Sequence, residues 1–111
     1  MRMLMHVKLP LEPFNSYVSY VRDGSAGEKI KSILQATKPE ATYFTEYDGR
    51  RGAVMVIQIE DSSKIPFYAE PWFLQFNAEV EFHGAMTPEE LGRANLDVLG
   101  KKWALSPAGV I

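Results

Sequence analysis

The chain has 111 residues, 46% hydrophobic and 23% charged, and its 12 basic and 14 acidic side chains leave a net charge of −2, the composition of one soluble globular domain. It has no cysteine, which excludes disulfides, thiolate metal sites and cysteine nucleophiles, and no basic block beyond Arg50-Arg51 and Lys101-Lys102, so nucleic acid is not an expected partner. No stretch approaches the ~20 apolar residues of a membrane span and the first residues lack a signal-peptide core, so no membrane partner and a cytoplasmic location are expected.

Arg2–Leu9 alternates, with Met3, Met5, Val7 and Leu9 on one side and Leu4, His6 and Lys8 on the other, as in a half-buried strand. Pro10 and Pro13 stop it, because neither can donate to a ladder. Phe14, Tyr17, Val18 and Val21, then Ile30, Ile33 and Leu34, recur at helical spacing. One long or broken helix is predicted over Pro13–Thr37, open to a break at Gly24 or Gly27, with Ser25 and Glu28 spaced as a capping box. Lys38-Pro39 ends it.

Glu40–Glu60 follows, two β-rich runs around Asp48-Gly49, a strong local hairpin signal. A two-residue turn pairs Tyr47 with Arg50, Glu46 with Arg51, Phe44 with Ala53 and Thr42 with Met55. One face then carries Thr42, Phe44, Ala53, Met55, Ile57 and Ile59, expected to lie under helices. The other carries Ala41, Tyr43, Thr45, Tyr47, Val54, Val56 and Gln58.

Asp61-Ser62-Ser63 reads as a loop and cap leading into a helix over Lys64–Phe76. Pro66 suits its first turn, and internal Pro71 is expected to kink it or end its first half. Asn77–His83 alternates, with Ala78, Val80 and Phe82 facing one way and Asn77, Glu79, Glu81 and His83 the other. Thr87-Pro88-Glu89-Glu90 has the cap, N1 proline and N3 acid of a helix start. A last helix is expected through Leu91, Ala94, Leu96 and Leu99 toward Gly100. Residues 104–111 read as a tail, leaving 1–103 as a single domain.

The order β-α-β-β-α-β plus a helix predicts an α+β, ferredoxin-like fold with a four-stranded antiparallel sheet in the order 4-1-3-2 and both main helices on one face. The uncovered face then holds Leu4, His6, Lys8, Tyr43, Thr45, Tyr47, Val54, Val56, Gln58, Glu79, Glu81 and His83. A mixed surface of that size needs a cover, and the same face of a second copy is the cheapest one, so a homodimer through the sheet face is expected.

The stretches VRDGSAGEKIKSIL, KPEATYFTEYDGRRG, AEPWFLQFNAEVEF and MTPEELGRANLDVLGKKW resemble the dimeric α/β-barrel superfamily, and within it a group of small bacterial proteins of unassigned activity; the similarity spans roughly residues 2–103. The resemblance implies two ferredoxin-like sheets packed face to face into a barrel. Cofactor-free monooxygenases, muconolactone isomerases and haem-dependent peroxidases share that superfamily. None of their catalytic motifs can be laid on this sequence residue by residue, so their chemistry does not transfer.

His6 and His83 are the only histidines, and both fall on the uncovered face beside Glu79 and Glu81. A contact of His6 with Glu81 or Glu79 would give a carboxylate-held imidazole, a serviceable general base; it would equally suit a polar dimer interface. His6, His83, Glu79 and Glu81 also contain the ligand types of a metal site, but Glu-X-Glu-X-His follows from strand alternation alone, and neither metal nor cofactor is expected. Tyr43, Tyr47, Trp72 and Phe76 could line an aromatic pocket, although Trp72 and Phe73 suit a core equally well. Trp103 could cap a barrel mouth or grip the other subunit. An RNA-recognition surface fails, because AVMVIQI lacks the stacking aromatics and Glu79 and Glu81 sit on the open face. A copper carrier fails for want of cysteine.

The expected function is therefore a small-molecule-binding or cofactor-free, enzyme-like dimeric protein. His6 would be base or polariser, Glu81 its orienting partner, and Tyr43, Glu79, His83 and Trp72 the ligand-binding walls. The alternative is a non-catalytic homodimerisation module whose polar groups satisfy one another.

Overall fold

The computed structural model describes residues 1–11 and 25–105. The Pro13–Gly24 part of the expected first helix and residues 106–111 of the expected tail lie outside the described residues. The alternating segment forms β1 (Arg2–Lys8), followed by α1 (Ser25–Thr37), β2 (Ala41–Tyr47), β3 (Arg50–Gln58), a 3-10 turn (Ser62–Lys64), α2 (Ile65–Phe76), β4 (Glu79–Gly84), α3 (Pro88–Gly92) and α4 (Leu96–Trp103). Gly27 lies inside α1 without breaking it.

The fold is α+β with a four-stranded antiparallel sheet ordered β2-β3-β1-β4, which is 4-1-3-2 counted from the β4 edge. One chain by itself makes an open sheet, edged by β2 and β4, and not a barrel. The hairpin has the expected register, Tyr47 opposite Arg50 through Thr42 opposite Met55. Asp48 (φ 51°) and Gly49 (φ 78°) are both left-handed, as a turn matched to the strands' right-handed twist requires.

The apolar face of the sheet, through Met5, Val7, Ala53, Met55 and Ile57, packs with Ile33 of α1 and Trp72 and Phe76 of α2 in one buried cluster. Period-two residues from two strands thus meet period-3.6 residues from two helices, which is why this layer dries out completely. Trp72 and Phe76, one turn apart, stack with ring centroids 5.9 Å apart and planes tilted by 34°.

Four expectations are corrected. Phe44 points to the helix side as its register demands, yet it is 60% exposed, because β2 is an edge strand and the helices centre on β1 and β3. Pro71 does not end α2, which runs unbroken from Ile65 to Phe76. The carbonyl deprived of a donor is that of Phe67, an exposed residue in the first turn, where water can replace the missing bond. Asn77 does not begin β4; it adopts φ 54°, caps α2, and donates its N–H to Phe73 O. The single last helix is two short ones, separated where Asn95 turns left-handed at φ 55°. Thr87 and Glu90 do form the expected capping box at the start of α3.

Candidate functional site

Side chains at even positions of β1 and β3 stand on the face away from the helices, in rows fixed by the register. One row runs Tyr43, Val54, His6, Glu81 across all four strands; the next runs Thr45, Gly52, Lys8, Glu79. Gly52 breaks the layer of side chains. A Cβ there would lie 2.3 Å from Tyr47 Cδ2 and 2.7 Å from the Val7 carbonyl oxygen. The Tyr47 ring fills that gap, lying down over β3 until its hydroxyl reaches His6 Nδ1 at 2.7 Å. A glycine inside a strand here serves close approach, its common use there.

His6 also meets His83 edge to face, with ring centroids 5.2 Å apart, and His83 Nε2 lies 3.2 Å from Glu81 Oε2. Four titratable side chains therefore touch in series: Tyr47, His6, His83 and Glu81. The expected partnership is rearranged. Glu81 stands opposite His6 in the ladder, but its carboxylate turns along β4 to His83, and Tyr47 takes the orienting position at His6.

Ion pairs close one end of this series. Lys8 Nζ lies 3.1 Å from Asp48 Oδ2 and 4.0 Å from Glu79 Oε2, while Arg50 Nη2 lies 3.0 Å from the same Glu79 oxygen. Glu79 is thus held by two cations and straps the hairpin tip to the β4 edge. Solvent-exposed pairs of this kind contribute at most about 1 kcal/mol each, so their effect is positional. His6, Lys8, Tyr47, Glu79 and Glu81 line a cleft of about 80 Å³. That holds only a few atoms, and a drug-sized ligand needs several times more.

The other expected pocket walls are dispersed. Tyr43 is on the open face but 65% exposed, one strand beyond Val54 from His6. Trp72 is 1% exposed, in the core on the opposite side of the sheet, so it shares no cavity with His6. Among the described residues no three histidine or carboxylate side chains converge to hold a metal ion, and no helix is long and apolar enough to cross a membrane. Gly52 in GRRGA carried the signal for the site's geometry: an isolated glycine within an otherwise β-rich run marks a place where another group comes close.

What the arrangement can do unaided is hold and move a proton. A phenol and an imidazole 2.7 Å apart can share one hydrogen, while His83 meets His6 only edge to face and pairs instead with Glu81. No protein-family model matches the chain, and no curated protein matches it.

Proposed function

We propose that this chain is a ferredoxin-like subunit that dimerises through the open face of its sheet, and that the His6–Tyr47 pair binds a small polar ligand there, acting as a general acid–base couple if turnover follows. The observation that carries the reading is the Tyr47 ring laid over Gly52 to reach His6. Surface tyrosines ordinarily keep their hydroxyls in water; this one is placed against the one half-buried imidazole of the face. The strand order and the helices gathered on one side support the ferredoxin-like assignment.

A second copy is the cover this face fits best. Leu4, Val54 and Val56 form a half-buried apolar centre, with Lys8 and Arg50 on the central strands and Glu79 and Glu81 on the β4 edge. A face carrying both signs can complement itself under a half-turn. Facing sheets would also enlarge and dry the 80 Å³ cleft into a lumen.

A ligand-observed NMR screen of small polar fragments tests the site. Hits that vanish with His6→Ala, while the mass measured by light scattering is unchanged, support it. The small size of the cleft favours a second reading, in which the two faces close solidly and the polar groups only satisfy each other. In that case no fragment hit depends on His6, and His6→Ala lowers the mass instead.

A further inference from the structure

The open face of the sheet carries its acids on one edge. Glu79 and Glu81 both stand on β4, whereas the opposite edge strand, β2, presents Ala41, Tyr43, Thr45 and Tyr47, all uncharged. The cations of the face are committed within the chain. Lys8 and Arg50 hold Asp48 and Glu79 at the hairpin end, and Arg2 lies 3.6 Å from Glu40 at the other. Glu81 is different. Among the described residues only His83 meets its carboxylate, and its side chain is 70% exposed.

The strand register turns this asymmetry into a rule for pairing two copies. Across the face run the rows Ala41–Val56–Leu4–His83, Tyr43–Val54–His6–Glu81 and Thr45–Gly52–Lys8–Glu79. Half-turns about two directions bring such faces together with their strands aligned. An axis lying across the strands sets each strand over its own copy. β4 then meets β4, and the Glu79 and Glu81 carboxylates of both copies crowd along one edge, a juxtaposition that opposes association.

An axis lying along the strands has the opposite effect. Rotation leaves every height along the axis unchanged, so each row falls on its own copy, reversed end for end. The β4 edge then covers the β2 edge. Glu81 faces the partner's Tyr43 and Glu79 the partner's Thr45, each a carboxylate against a hydroxyl. Leu4 faces the partner's Val56, apolar on apolar at the centre. Lys8 falls where the partner's Tyr47 fills the gap at Gly52, a cation beside an aromatic ring. Every row is complementary to itself in this sense only. The position of Tyr43 is also explained. Its own chain leaves it 65% exposed and separated from His6 by Val54, but the half-turn carries it to the Glu81 end of the same row.

We propose that the half-turn axis of the sheet-face dimer runs along the strands, and that the partner's Tyr43 completes each His6–Glu81 site by donating its hydroxyl to the Glu81 carboxylate. The axis direction and the two-chain site rest on the dimer already proposed for this face, and add to it which edge covers which.

The chain has no cysteine, so introduced thiols are the only ones present. Tyr43→Cys and Glu81→Cys, both at exposed side chains and so harmless to folding, are co-expressed with different affinity tags. The purified protein is treated with a short bismaleimide that spans the ~10 Å between packed sheets. The expected product on a denaturing gel is a covalent dimer of one chain of each kind, at least tenfold over dimers of two chains of the same kind. Crosslinks mainly between two Glu81→Cys chains, or between two Tyr43→Cys chains, would overturn the proposal and leave the sheet-face dimer standing. A two-chain mass by light scattering with no crosslink would overturn it as well, and a one-chain mass would sink the sheet-face reading with it. Tyr43→Phe should in addition move the ¹⁵N resonances of His83 more than those of His6; no change at either would refute the contact of the hydroxyl with Glu81.

Discussion

At the scale of single residues, Gly52 and Tyr47 are one feature. The missing side chain at Gly52 is what allows the Tyr47 ring to lie flat, so the site is vulnerable at a position that bears no functional group. Gly52→Ala places a methyl against the ring and against the Val7 carbonyl oxygen, and should destabilise the fold by about 1–3 kcal/mol, the usual cost of overpacking. The backbone contact cannot be relieved by a side-chain rotation, whereas the ring contact can. Adding Tyr47→Ala should therefore recover part of the loss, a coupling that chemical denaturation of the double-mutant cycle would measure. Tyr47→Phe removes only the hydroxyl; it should leave stability nearly unchanged and move the ¹⁵N resonances of His6 more than those of His83. On the far side of the sheet, Trp72→Ala should cost about 3–5 kcal/mol and leave any ligand bound at His6 unaffected, because its indole belongs to the core.

At the scale of elements, the capping box fixes where α3 begins. The Thr87 backbone N–H donates to the Glu90 carboxylate at 2.8 Å and the Thr87 hydroxyl receives the Glu90 N–H at 3.1 Å. The bond from the Thr87 backbone is the main reason the Glu90 carboxyl is held below the usual carboxylate range, with the Thr87 side chain next. A carboxyl whose folded pKa is lowered stabilises the folded state above its unfolded pKa and stops doing so as pH falls through the folded one. The start of α3 should therefore fray as the pH falls below the ordinary glutamate range, seen as faster amide exchange over Glu89–Gly92. Glu90→Gln should remove that acid-dependent step.

At the scale of the whole molecule, the open sheet face and the exposed Leu96–Leu99–Trp103 stripe of α4 both present apolar side chains among the described residues. A stable species near twice the 12.5 kDa chain mass is expected from light scattering, and Val54→Asp, which buries a charge at the centre of the sheet face, should shift it toward the monomer. A monomer at every concentration would leave both surfaces to a different protein. If the dimer survives Val54→Asp but not Leu99→Asp, α4 and not the sheet holds it.

Alternation and turn chemistry were enough to place the strands and the hairpin register, while the sheet order was expected from the β-α-β-β-α-β succession of elements. Side-chain period and the Asp48-Gly49 turn are local properties that tertiary packing had no reason to override. The same alternation put His6, Glu81 and His83 on one face. It could not say which of them touch, because a register fixes Cα positions while rotamers answer to neighbours several strands away. Tyr47 was legible as a residue of that face but not as the partner of His6; that followed from the gap at Gly52, a contact between positions that only the folded sheet brings together. Trp72 shows the reverse limit. Its aromatic character fits pocket and core alike, and only the packing of α2 on the sheet sent it to the core. The exposure of Phe44 and of the α4 stripe was likewise beyond a local pattern, since an apolar period tells which residues share a face but not whether anything in the same chain arrives to cover it.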